Sequence, residues 1–214
     1  MDLVRILLCG VIGYGIGSIS SGYLVGKLYR NVDLRNVGSG STGATNTFRT
    51  LGLGAALLVA VLDILKGAAS VWIATVLVSG PGDQRSIAAA LAAIAAVAGH
   101  CWPAFLEGRG GRGVATGFGA LLFIATPAWL GAVVAFMLAL AVTRMVSVGS
   151  LAAVAGAVVG YGLFVVTGYL SFHWAVLGFI LIAGGIVVFR HRANIDRIAR
   201  GKEPRLGQSA SQRT

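Results

Sequence analysis

Residues Val114–Thr143 read VATGFGALLFIATPAWLGAVVAFMLALAVT, thirty positions without a charge. As one helix this stretch would run ~45 Å at 1.5 Å per residue, against a hydrocarbon core ~30 Å thick. Pro127 lies near its middle, where a residue with no N–H and a fixed φ breaks or kinks a helix. The stretch therefore reads as two helices, 114–126 and 127–143, short, tilted or partly re-entrant. Five further apolar stretches (4–28, 53–79, 86–106, 146–168 and 171–190) bring the count to seven. Read as one span, residues 114–143 would bring it to six.

Charge placement decides between the two. With seven passes, Lys27, Arg30, Arg35, Arg49, Arg109, Arg112 and Arg144 share one side with the seven basic residues from Arg190 to Arg213, fourteen of the 17 Lys and Arg. Arg5 and Arg85 fall on the other side, and Lys66 lies within the second span. With six passes, Arg144 and the basic tail change sides. The positive-inside rule favours seven spans, the N-terminus outside and the C-terminus cytoplasmic.

Composition agrees with a membrane-embedded chain. Of 214 residues 57% are hydrophobic and 11% charged, where a soluble domain carries ~25% charged residues. The fold class is thus an all-α integral membrane protein. A single domain over residues 1–206 is expected, with a polar, disordered tail at 207–214. The 32 glycines are about twice the usual ~7%. Pairs such as Gly13/Gly17 and Gly22/Gly26 have the spacing that lets membrane helices approach closely. The net charge of +10 points to membrane orientation and anionic lipid, not nucleic acid. Cys9 and Cys101 sit in apolar stretches and read as reduced, buried small hydrophobes. The N-terminal run lacks a small-residue cleavage site and reads as a retained first helix.

Three polar segments interrupt this apolar chain, and the seven-span count puts all three on the cytoplasmic face. The first runs from Asp33 to Arg49 and contains Gly38, Ser39, Gly40, Ser41, Thr45 and Asn46. Alternating glycines let backbone N–H groups converge into an anion-binding nest, with hydroxyl and amide donors beside Arg35 and Arg49. Composition alone equally allows a flexible loop with Asn and Ser in turns. No Gly-Lys-Ser/Thr follows at Walker A spacing. The second segment, Gly110-Gly111-Arg112-Gly113, leads directly into an apolar helix. A Gly-rich turn at a helix N-terminus offers free N–H groups and the positive end of the dipole, and Arg112 could chelate a phosphate. It also reads as a tight turn with a topology-setting arginine. In the third segment, His191 and Asn194 are three apart and share a helix face. Arg190 and Arg197 share another, as would a basic helix end snorkelling to anionic lipid. His191 and Asp196 lie five apart, about 140° around a helix, which discounts a His-x4-Asp catalytic pair.

Other polar residues carry weaker signals. Asp63 and Lys66 lie three apart inside the second helix, either functional, the default for intramembrane charge, or a mutually neutralising structural pair. His100 reads as a structural or interfacial histidine, and Ser147 follows Arg144 within reach of the site. The seven acidic residues are scattered and form no metal cluster, so a reaction without metal or cofactor is expected.

The whole set resembles the bacterial acyl-phosphate:glycerol-3-phosphate acyltransferase family, in order and over nearly the full chain. The resemblance is carried by Gly17–Leu24, the loop from Ser39 to Arg49, Asp63–Gly67, Gly99-His100, the turn to Thr116, Thr143–Ser147, and His191-Arg192 through Glu203-Pro204. It implies a seven-helix enzyme of the bacterial cytoplasmic membrane, its site on the cytoplasmic face. Such an enzyme moves a fatty acyl group from acyl-phosphate to the 1-hydroxyl of glycerol 3-phosphate, giving lysophosphatidic acid and phosphate for phospholipid synthesis. By the same resemblance Ser39, Arg49, His191 and Asn194 are expected to be catalytic. Gly38, Gly40, Ser41, Thr45, Asn46, Gly110, Gly111, Arg112, Gly113 and Ser147 are expected to bind substrate or phosphate, and Glu203 to be structural. The chain departs from the family pattern at Ser20 (usually Pro), Ser41 (usually Asn) and Arg112 (usually Lys).

An acyl-phosphate is already an activated mixed anhydride. Such an enzyme mainly positions two phosphates, offsets their repulsion and excludes water. Direct attack by the glycerol hydroxyl, with the proton passing to His191 or a phosphate oxygen, is the expected route. A transporter of an organic phosphate would explain the basic Gly loops without chemistry. A membrane phosphatase is the weaker alternative, lacking a carboxylate cluster or an evident histidine nucleophile.

Overall fold

The structure is a computed structural model and describes residues 2–79 and 82–208. All regular structure among the described residues is helical. In chain order the helices are α1 (Asp2–Ser18), α2 (Ser21–Arg30), α3 (Ala44–Leu51), α4 (Leu53–Leu77), α5 (Asp83–Cys101), α6 (Val114–Ile124), α7 (Thr126–Thr143), α8 (Val146–Val166), α9 (Trp174–Arg190) and α10 (Arg192–Ala199).

Each of the seven apolar stretches forms helix. Among the described residues five segments are long and apolar enough to cross a membrane, or six if α9 and α10, bent by 60°, count as one. At 11 residues, α6 reaches only ~16 Å at 1.5 Å per residue. The break ahead of Pro127 falls as the sequence suggests. Ala125 leaves helical geometry at φ −154°, and Pro127 sits in the first turn of α7, where a missing N–H is harmless.

The first stretch is not one helix as its hydropathy suggests. It breaks at Ser18–Ser20, and Ser20 opens α2 in an extended conformation. The carbonyl of Ile19, at the break, accepts a hydrogen bond from Lys66 Nζ at 2.9 Å. A backbone group freed in apolar surroundings must find such a partner.

Alanine-rich α5 is the centre of the fold, with Ala88, Ala92, Ala93, Ala96 and Val97 fully buried. It packs on α1, α4, α6 and α9. Lipid tails are as apolar as these side chains, so close packing rather than water exclusion holds the helices together. At Gly13 and Gly17 a Cβ would run into the backbone of Ala92 and Ala96 on α5, and at Gly119 into the Ile64 carbonyl of α4. Outward-facing Leu3, Val11, Leu28, Leu138, Val142 and Val166 are exposed, as a lipid-facing surface requires. Cys9 and Cys101 are free and buried. Of the polar tail, Gly207 and Gln208 are described, and the Gln208 N–H donates to the Arg205 carbonyl at 3.4 Å; residues 209–214 lie outside the described residues.

Candidate functional site

The first polar segment folds around one side chain. Asn46, 1% exposed, accepts the Ser39 N–H on Oδ1 at 2.9 Å. Its Nδ2 faces the carbonyls of Leu34, Val37 and Ser41 at 3.1, 3.0 and 2.9 Å. The amide is therefore occupied in holding the loop. Gly38 and Gly40 take φ of +61° and +68°, left-handed geometry that glycine adopts without strain. Arg35 is engaged locally: its guanidinium pairs with Asp33 at 2.7 Å, and its hydrogen bonds hold the Asp33 carboxyl below the usual range. Ser39, Ser41, Gly43 and Thr45 line a cavity; Arg49 lies on α3 behind them, close enough for its charge to be felt at Arg112.

The second segment is laid on the end of α5. The Gly111 N–H donates to the His100 carbonyl at 3.0 Å. Arg190 donates from Nε to the Gly111 carbonyl at 3.0 Å and from Nη2 to the Gly110 carbonyl at 3.2 Å, while its guanidinium lies 5.5 Å over the Trp102 ring. A Cβ on Gly110 would strike the His100 carbonyl, and one on Gly111 the His100 ring. These two glycines thus permit close approach, and the Gly111 amide is used within the turn. Arg112 and Gly113 follow and do line the cavity. Burial pulls the Arg112 guanidinium down to about 10; nearby Glu203 opposes this, while Arg197, Arg49 and Arg190 add to it. The group stays cationic at neutral pH, inside a cluster of positive charge.

The third segment bends at His191, and the bend separates residues that a continuous helix would place on one face. His191 is 1% exposed and lines the cavity. Its Nδ1 lies 2.8 Å from the Val187 carbonyl. A carbonyl only accepts, so Nδ1 carries the proton and Nε2 is left with its lone pair. Asn194 turns instead to Glu203, donating from Nδ2 to Oε1 at 2.6 Å, and Arg197 donates from Nε to Oε2 at 2.8 Å. Burial would raise the Glu203 carboxyl, but the hydrogen bonds from Asn194 and Arg197 help hold it below its usual range. The buried Ser147 hydroxyl is near Glu203 but outside hydrogen-bonding geometry. Ser147, Asn194 and Glu203 thus form a support behind the cavity wall.

The cavity itself measures about 370 Å³. The first turns of α3, α6 and α8 open onto it through Ala44 and Thr45, Val114 and Ala115, and Val146. None of the three helices has a side-chain N-cap. Free first-turn N–H groups and three positive dipole ends favour an anion there. The lining also includes apolar side chains: Ala60 and Ile64 of α4, Phe118 of α6, and Val133, Phe136 and Met137 of α7. One space therefore combines anion-binding groups with a lipid-like lining.

Two wall residues, Asp63 and His100, stand outside the set chosen from sequence. Lys66 Nζ lies 2.8 Å from Asp63 Oδ1 and 2.9 Å from His100 Nδ1. The intramembrane Asp63/Lys66 pair was the available signal. Its third member, His100, lies 34 residues further on, and nothing in the spacing ties it to that pair. Arg190, too, is read from sequence as one more basic residue at a helix end, yet it clamps the Gly turn.

Comparison with known proteins places this arrangement. The family model described as glycerol-3-phosphate acyltransferase matches residues 7–201. A glycerol-3-phosphate acyltransferase of Synechococcus elongatus (strain ATCC 33912 / PCC 7942 / FACHB-805) is 44% identical over 213 residues, covering 98% of each chain. One of Parasynechococcus marenigrum (strain WH8102) is 43% identical over 208 residues, covering 97% of this chain and 93% of the relative. The crystal structure of PlsY (YgiH), an integral membrane glycerol 3-phosphate acyltransferase, in its glycerol 3-phosphate form superposes with a TM-score of 0.82 at 34% identity, covering 94% of this chain and 96% of that one. Its lysophosphatidic acid form gives 0.79 at 32% identity, covering 94% and 95%. An all-helical membrane chain matched over nearly its whole length, in sequence and in fold, belongs to the integral membrane glycerol-3-phosphate acyltransferase family.

Proposed function

We propose that this protein transfers a fatty acyl group from acyl-phosphate to the 1-hydroxyl of glycerol 3-phosphate, releasing lysophosphatidic acid and inorganic phosphate. The observation that carries this reading is the cavity, whose lining combines helix N-termini, Arg112 and His191 with Ile64, Phe118, Phe136 and Met137. A substrate with a phosphate and an acyl chain matches both kinds of lining. Glycerol 3-phosphate brings a second phosphate, and Arg112 with Arg49 behind it offsets the repulsion between the two.

In this reading the hydroxyl oxygen attacks the acyl carbon, the C–O bond to phosphate breaks, and phosphate leaves with the electron pair. The hydroxyl proton passes to His191 Nε2, which holds a lone pair, or to a phosphate oxygen. Burial pulls the His191 imidazole down to about 4, so the ring is neutral at pH 7 with Nε2 open to a proton, and it is a weaker base than a free imidazole. Ser39 and Thr45 supply hydroxyl contacts. The Gly38–Asn46 loop and the Gly110–Gly113 turn shape the phosphate site. Asn194 and Arg197, bonded to Glu203, fix α10 behind His191, with Ser147 beside them. No acyl-enzyme and no metal are used. The charge asymmetry supports seven spans in the bacterial cytoplasmic membrane, the N-terminus outside, and the site on the cytoplasmic face.

The test is to incubate purified protein with palmitoyl-phosphate and follow phosphate release with and without glycerol 3-phosphate, in buffer and in chelator. Acceptor-dependent release with equal lysophosphatidic acid in both buffers supports the reading. Release without acceptor would indicate a hydrolase, and no release from folded protein would refute it. Trapping an on-pathway acyl group on Ser39 would refute direct transfer.

A further inference from the structure

We infer that His100 donates a hydrogen bond from Nε2 to a substrate phosphate, its tautomer fixed by the buried Lys66. This deepens the function proposed above and rests on it. Lys66 Nζ has three neighbours: Asp63 Oδ1 at 2.8 Å, the Ile19 carbonyl at 2.9 Å and His100 Nδ1 at 2.9 Å. An ammonium has three N–H groups and no lone pair, so it donates to the Ile19 carbonyl and to His100 Nδ1, while Asp63 Oδ1 is ion-paired with it outside hydrogen-bonding geometry. At His100, Nδ1 must therefore accept. The Asp63 oxygen lies 3.4 Å from Nδ1, farther than the ammonium at 2.9 Å. A proton on Nδ1 would face the ammonium head-on. The proton of the neutral ring consequently sits on Nε2.

That Nε2–H has no partner among the described residues, while the side chain is 5% exposed and lines the cavity. It lies against Gly111, where a side chain would displace it. A donor on the cavity wall with no protein acceptor is open to a ligand that supplies one. The ligand favoured by the anion-binding groups of the cavity is an acceptor-rich anion. His191 has the opposite arrangement, its proton on Nδ1 and its lone pair on Nε2. Two histidines on one cavity thus present one donor and one acceptor. Lys66 and Asp63 act through His100 as positioning residues.

The full-length protein in nanodiscs, with ¹⁵N-labelled histidine and assignment by His173→Gln, gives the tautomers directly. We expect His100 to be protonated on Nε2, and titration with inorganic phosphate to shift that resonance. Lys66→Met should move the proton to Nδ1, toward Asp63. In kinetics, His100→Leu should raise KM by about tenfold or more for one phosphate substrate, the size of a hydrogen bond to a charged group. His100→Gln, which retains an N–H donor, should recover most of it. A KM effect on glycerol 3-phosphate assigns the contact to the acceptor, and one on acyl-phosphate to the donor. Nδ1 protonation in the wild type overturns the inference. So does a resonance indifferent to phosphate in protein that turns over, or a folded His100→Leu with both KM values unchanged. A phosphate-dependent shift in protein that forms no lysophosphatidic acid would leave the contact standing and refute the proposed reaction instead.

Discussion

Replacing Gly111 with alanine tests whether the Gly-rich turn is held by contact with His100. The new Cβ would lie 2.7 Å from Cε1 and 3.0 Å from Cδ2 of the imidazole, where ordinary carbon contacts are about 3.5–4.0 Å. The ring has little freedom to yield, because Nδ1 is 2.9 Å from Lys66 and its side chain is 5% exposed. The turn must move instead, by roughly 1 Å, and a displacement of that size at a reacting centre costs about 100-fold in rate. The strain itself, as overpacking, is about 1–3 kcal/mol, small enough to leave the fold intact. The assay is kcat/KM for lysophosphatidic acid formation beside thermal unfolding in the same detergent. Gly185→Ala is the control, since nothing lies within 4 Å of its added Cβ; it should be neutral or slightly stabilising, as alanine is favoured over glycine in helices. A Gly111→Ala enzyme within twofold of wild type would refute the claim that His100 fixes this turn.

Other outcomes follow from the same contacts. Asn46→Asp keeps the shape but faces the Leu34, Val37 and Ser41 carbonyls with a carboxylate; each carbonyl left unpaired costs ~1–3 kcal/mol, so activity should fall at least 100-fold, checked by initial rates. Arg190→Gln removes charged donors from the Gly110 and Gly111 carbonyls and should lower kcat/KM about 10-fold or more, with KM for a phosphate substrate carrying most of the change. Glu203→Gln should lower the unfolding temperature at pH 7 and lower activity by weakening the hold on Asn194 and Arg197. Because the folded Glu203 carboxyl titrates below its usual range, its contribution is present above the ordinary glutamate pKa of ~4.3 and is lost as pH falls through the depressed value. Unfolding curves of wild type and Glu203→Gln should therefore converge on acidification and stay apart at neutral pH.

The helical, membrane-bound character of the chain was legible because hydropathy is a local property: each apolar stretch carries its own signal, and Pro127 marks its own break. The Ser18–Ser20 break was not legible. Hydropathy runs straight through it, and its stability depends on Lys66, 47 residues away from Ile19. The three polar segments do meet, but not every residue in them faces the cavity. Asn46 lines the cavity, yet its amide is held by loop groups; the Gly111 amide, which the sequence presents as free, donates to the His100 carbonyl instead. Residue type narrows the chemistry to a few groups, whereas three-dimensional neighbours decide which atoms remain unengaged. His191 and Asn194 make the same point, since the bend that directs them to different partners leaves no mark on their spacing.

The Asp63–Lys66–His100 cluster also bears on how the chain enters the bilayer. A single charge at the centre of an inserting helix costs about 2.5–3.5 kcal/mol on translocon scales. Asp63 and Lys66 lie one turn apart on α4, so the two charges can enter as a neutral pair. The Ile19 carbonyl, third partner of the ammonium, emerges from the ribosome earlier, while His100 follows on α5. Two of the three ligands of Lys66 are thus available when it reaches the lipid, and the last arrives with the next helix. Synthesis order and burial of charge run in the same direction along this chain.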